Sequence, residues 1–149
     1  LLLGAALGFK ELLQAGLIDR PPKIVGVQAA GCAPLAEAFE HSLAEPAPVE
    51  KRETLAEGIA IENPIRGKQI LEAVRKSSGS FITVEETEII EALHLSSRQG
   101  IYIEPTAAAT LAGAVNYLQK LDEGENMITV ITGHGLKSAE KLMHLLAHE

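Results

Sequence analysis

The stretch VITGHGLKS, residues 130–138, ends an apolar run in Thr132, Gly133, His134 and Gly135, so that a hydroxyl and an imidazole stand among glycines. A strand that stops at such a corner before a helix can turn backbone N–H groups and a helix N-terminus toward an anion, with the Thr132 hydroxyl in the same crevice. The competing account is a tight turn in which the glycines supply positive φ, Thr132 bonds to backbone, and His134 is packed or exposed. The corner is too short to be a nucleotide-binding glycine fingerprint. A second chemical group stands at Glu104-Pro105-Thr106. A carboxylate where a strand meets a helix can act as general acid, as general base, or as partner to a cofactor nitrogen. It can also do no more than neutralise the positive end of a helix that begins at Pro105.

Other reactive types carry less. Cys32, the one cysteine, lies in QAAGCAP at the end of another apolar run, where it could be a nucleophile; without a Cys–His signature it reads as a packed, inert thiol. Among the five histidines, His134, His144 and His148 form no zinc motif, and His144 and His148, one turn apart near the C-terminus, suit the negative end of a helix. No metal site is expected.

The elements that must position these groups alternate. Residues 1–18 read as a largely buried helix, closed by Gly16 and by Asp19, Pro21 and Pro22 in the following turn. KIVGVQ, residues 23–28, reads as a buried strand and residues 34–43 as a helix. AEPAPVEKR breaks both periodicities and marks a loop. Asn63-Pro64 predicts a helix running to about Ser77, with Asn63 as its N-cap. Then follow a strand at 80–84, a helix at 85–99, a strand at 101–104, a helix at 107–121, a strand at 127–131 and a helix at 138–148. This order predicts an α/β fold, a mostly parallel sheet with helices on both faces. Ligands then bind beyond the carboxyl ends of strands, here 29–34, 104–106 and 132–135.

A length of 149 residues with 46% hydrophobic content suits one domain. A net charge of −7, with both signs scattered, argues against a nucleic-acid surface or a polybasic membrane patch. A single cysteine fits a reducing compartment, and the expected location is cytoplasmic. LLLGAALGF is interrupted by Lys10 and Glu11, short of the roughly 20 apolar residues that cross a bilayer, and lacks the basic start of a secretory signal. No capping residue stands before it, so the chain reads as cut at its N-terminus.

Considered in order, LLLGAALGFKELLQAGLI, PKIVGVQAAGCAPLAEAF, TLAEGIAIENPIRGKQIL, GIYIEPTAAATLAG and VITGHGLKS resemble the C-terminal half of the threonine synthases, fold-type II pyridoxal-phosphate-dependent enzymes. The resemblance implies that residues 1–149 are the C-terminal part of a catalytic domain of the tryptophan synthase beta type. It implies pyridoxal 5'-phosphate in the complete enzyme, with the Thr132 hydroxyl at the pyridine nitrogen, Gly133 and His134 (with Gly135) as the wall beside the ring, and Glu104 near it. In this family the Schiff-base lysine and the phosphate-holding loop lie upstream of the segment matching Leu1. Neither Lys68 nor Lys137 stands in the family's Ser-x-Lys context, so no catalytic residue is assigned to this chain, and the fragment alone is expected to be inactive and to lack the cofactor.

The implied reaction converts O-phosphohomoserine and water to threonine and phosphate, a small-molecule amino-acid substrate with no nucleic-acid or membrane partner. Glu57 in TLAEGIAI stands where many threonine synthases have Thr and is closer to dehydratase-like relatives. The alternatives are therefore an ammonia-lyase, dehydratase or other amino-acid synthase of the same fold, or, in another class, a non-catalytic assembly or binding module. An uncovered apolar face at residues 1–9 predicts a homodimer.

Overall fold

The computed structural model describes residues 1–139 and residue 143. Its centre is a pair of parallel strands, β1 (Val25–Ala29) and β2 (Ser80–Val84), in register from Val25 opposite Ser80 to Ala29 opposite Val84. Among the described residues five α-helices surround it: α1 (Leu2–Gln14), α2 (Pro34–Glu40), α3 (Gly67–Lys76), α4 (Glu86–Arg98) and α5 (Pro105–Leu118). Side chains alternate across a strand, so Val27 and Ala29 share one face with Ile82 and Val84, and these join α4 and α5 in the larger core. The opposite face carries Gln28 and Phe81, and there Phe81 packs with Leu35 and Ala38 of α2 and Leu71 of α3. The α/β architecture with helices on both faces therefore holds. No helix among the described residues is long and apolar enough to cross a membrane.

Local chemistry explains the boundaries. Helix α4 begins in a capping box in which Glu88 Oε2 accepts from Glu85 N–H at 2.6 Å. Helix α2 lacks a capping side chain at Ala33, and the strand before it supplies one instead: buried Gln28 Oε1 accepts from Leu35 N and Ala36 N, each at 2.9 Å. Sequence pattern did not reveal that partner.

Several expectations are corrected. Helix α1 ends at Gln14 rather than near Ile18, because Gly16, at φ +68°, closes it with the paired bonds Gly16 N–H to Leu13 O and Leu17 N–H to Leu12 O. It is also not a buried helix: none of its residues is buried among the described residues, where α3 is its main neighbour and Leu2 reaches Gly26 of β1. Asn63 does not cap α3. Pro64 opens a turn closed by Gly67 N–H to Pro64 O at 2.9 Å, and the helix starts at Gly67 with Arg66 before it. The strand expected at 101–104 shrinks to one antiparallel bridge, Ile103 opposite His134. The run 127–131 has no strand partner among the described residues and leaves Ile128 89% exposed; apolar composition alone does not make a strand without a ladder to join. The helix expected at 138–148 lies mostly outside the described residues, which hold a short 3-10 turn, Gly135–Ser138.

Candidate functional site

The N-terminus of α5 and the 132–135 corner meet edge to edge. Glu104 N–H donates to Gly133 O and Gly135 N–H to Tyr102 O, both at 3.1 Å, on either side of the Ile103–His134 bridge. Two segments about thirty residues apart in sequence thus form one rim. An open cavity of about 390 Å³ lies in it, between Ile101, Tyr102 and Ile103 on one side and Ile131, Thr132, Gly133 and His134 on the other.

Each expected site residue has a definite place here. Thr132 is exposed on the cavity wall, and no hydrogen bond within the described residues engages its hydroxyl, so the turn-bonded account of this threonine does not hold. Gly133 and Gly135 are buried, and neither has positive φ; their lack of a side chain serves close approach instead, Gly133 to the Glu104 carboxylate and Gly135 to the Tyr102 ring. His134 caps the 3-10 turn, its Nδ1 accepting from Leu136 N–H at 3.2 Å, which leaves the ring proton on Nε2. The Tyr102 ring meets His134 edge-on at 5.6 Å.

Glu104 is the N-cap of α5, and Pro105 follows at the first helical position. Its side chain makes no capping hydrogen bond, and its carboxylate lies across Gly133. A negative charge at this end suits the helix dipole in either role. Two of the corner's N–H groups are not offered to an anion, because those of Gly135 and Leu136 are already taken by Tyr102 O and His134 Nδ1.

Cys32 is not part of this rim. It is buried at the tip of β1, and burial, with Glu62 adding to it against a smaller opposing effect of Lys51, pushes its thiol up and away from the reactive thiolate. The sequence reading overlooked the strap formed by residues 52–59. Arg52 Nη2 donates to Ala30 O at 3.2 Å beyond β1, Leu55 N–H donates to Glu86 Oε2 at 2.8 Å at the start of α4, and Gly58 lies against the Thr106 side chain at the start of α5. One strap therefore touches the ends of three units that face the same side. The only signal for it was the apolar TLAEGIAI segment.

Residues 1–133 match the model of the family described as pyridoxal-phosphate dependent enzyme. The chain belongs to that family. It is 38% identical to the threonine synthase of Methanocaldococcus jannaschii over 136 residues, which are 89% of this chain and 34% of that protein. It is 37% identical to the threonine synthase of Mycobacterium tuberculosis over 136 residues, 89% of this chain and 36% of that protein. The chain spans about a third of the length of these curated relatives.

Solved structures share the fold. The processed form of threonine deaminase isoform 2 from Solanum lycopersicum superposes with a TM-score of 0.67 at 19% identity, covering 95% of this chain and 40% of that one. Threonine synthase from Escherichia coli gives 0.62 at 18% identity, covering 81% and 28%.

Family membership implies pyridoxal phosphate as the cofactor of the complete enzyme. The rim's polar groups fit one edge of such a ring: an unengaged neutral hydroxyl, a carboxylate lying across the neighbouring Gly133, and isoleucine side chains along the wall.

Proposed function

We propose that residues 1–149 are the C-terminal part of a threonine synthase, which converts O-phosphohomoserine and water to threonine and phosphate. The observation that carries the reading is the 33–38% identity to threonine synthases over 81–91% of the chain. The Thr132 hydroxyl, unengaged among the described residues, and the Glu104 carboxylate lying across the neighbouring Gly133 support it at the level of the site. When bound, the cofactor supplies a sink for electrons from the substrate's carbon–hydrogen bonds.

In this reading Thr132 holds the ring nitrogen by a neutral hydrogen bond, which does not keep that nitrogen protonated as a carboxylate would. That tempers the sink and suits elimination and replacement at the β and γ carbons. Glu104 stands near the ring, held at the head of α5. Ile101, Ile103 and Ile131 offer apolar contact to the ring's edge, and His134 with Gly133 forms the wall. The chain contributes the floor of the site, and the lysine that bonds the cofactor is expected from the rest of the enzyme.

The enzyme is assigned to the cytoplasm, supported by the acidic composition and single cysteine. A homodimer is proposed because α1 leaves Leu7, Leu12 and Leu13 in solvent. The deciding experiment assays the purified full-length protein for phosphate release from O-phosphohomoserine, against ammonia release from threonine and serine. Phosphate release supports the reading; ammonia release without phosphate release places the enzyme with the dehydratases.

A further inference from the structure

We propose that Gly133 is a positioning residue for Glu104: the missing side chain at 133 is what lets the Glu104 carboxylate lie across the opposing backbone. The proposal rests on the reading of Glu104 and Thr132 as groups facing the cofactor ring. The two residues oppose each other across the antiparallel contact, with Glu104 N–H donating to Gly133 O at 3.1 Å. A Cβ on residue 133 would overlap the carboxyl carbon and both oxygens of Glu104. Backbone conformation does not demand glycine here, because φ is not positive. Space does.

What the added methyl would meet decides the consequence. The obstructed atoms are the far end of a partly buried, flexible side chain, so alanine is accommodated when the carboxylate swings off its seat, and the backbone pair survives. Gly135 makes the contrast. A Cβ there would come within 2.8–2.9 Å of the Tyr102 ring, a rigid group already set against His134. Gly135→Ala therefore disturbs the fold of the corner, while Gly133→Ala disturbs the position of one charged group.

The test is a double-mutant cycle in the full-length protein loaded with pyridoxal 5'-phosphate: Gly133→Ala, Glu104→Ala and the pair. Readouts are kcat and KM, the visible circular dichroism of the bound cofactor, and a crystal structure of Gly133→Ala. The expected result is a Gly133→Ala protein that melts within about 2 °C of wild type. Its kcat falls by up to about 100-fold, as for a group misplaced by an ångström, with little change in KM. Its cofactor dichroism changes, and its Glu104 carboxylate is displaced. In the Glu104→Ala background, adding Gly133→Ala should change each readout by less than about twofold.

Equal losses in both backgrounds, or an unmoved carboxylate, would overturn the proposal. If Glu104→Ala is impaired and Gly133→Ala is not, the proposal alone fails. If Glu104→Ala matches wild type in activity and dichroism, the ring-facing reading of Glu104 fails, and the positioning role with it.

Discussion

Helices α1 and α5 are nearly equal in length and both mostly apolar, yet they are packed in opposite ways. Helix α5 buries Pro105, Ala107, Ala108, Ala109, Ala112 and Gly113, while α1 buries nothing and leaves Leu7, Leu12 and Leu13 at 49%, 38% and 39% exposure. Size accounts for part of the difference. A face of alanine and glycine lets α5 settle close to the strands, so that Gly113 receives the methyl groups of Val27. The leucines of α1 are large, and this chain places little opposite them beyond α3. Apolarity states that a face is better covered; only the partner's shape decides whether the same chain covers it.

The largest expected effect lies where α5 meets α4. Ile89 is fully buried in the core that α5 completes, so Ile89→Ala should destabilise the fold by about 2–5 kcal/mol, read from denaturant unfolding. An effect no larger than that of Leu7→Ala would erase the distinction between the two helices. Gly113→Ala sharpens it from the other direction. The new methyl would stand 2.5 Å from Val27 Cγ2, on a strand held by its ladder, and should cost about 1–3 kcal/mol. Val27→Ala in the same molecule should recover part of that loss, since it removes the obstructing methyl groups.

The next effect is polar. Gln28→Leu keeps the bulk but leaves Leu35 N–H and Ala36 N–H without their acceptor at the head of α2, a loss of about 1 kcal/mol in thermal or denaturant unfolding. If stability is unchanged, water replaces the amide and the cap is incidental.

These residues also show what was legible in advance. The strand-helix alternation came from local periodicity, which is why β2 and α4 fell within one residue of expectation and α5 within three. The Gln28 cap was not legible, because its partners sit on the next element and a polar residue at a strand end looks like ordinary alternation. Residues 127–131 were apolar enough to be a strand, but a ladder depends on a neighbour that composition does not name. The juxtaposition of Glu104 with Gly133 depends on an antiparallel contact between distant segments; resemblance to a family pointed to both residues, and residue chemistry alone left each of them with a bland alternative. The 52–59 strap was missed for the same reason, since the contacts that seat it on β1, α4 and α5 are long-range.

The smallest expected effect per site belongs to α1, and it is the one that separates covered from uncovered apolar surface. Replacing Leu7, Leu12 and Leu13 together with Ser removes side chains that are already more than one-third in solvent, so little burial is lost on folding, about 0.5 kcal/mol or less per site. If these exposed leucines are where a second copy docks, the same changes should abolish self-association of the chain in sedimentation or light scattering while lowering its unfolding midpoint less than Ile89→Ala does. A large fall in that midpoint with association intact would mean that α1 stabilises its own fold as α5 does, and the contrast drawn between the two helices would be wrong.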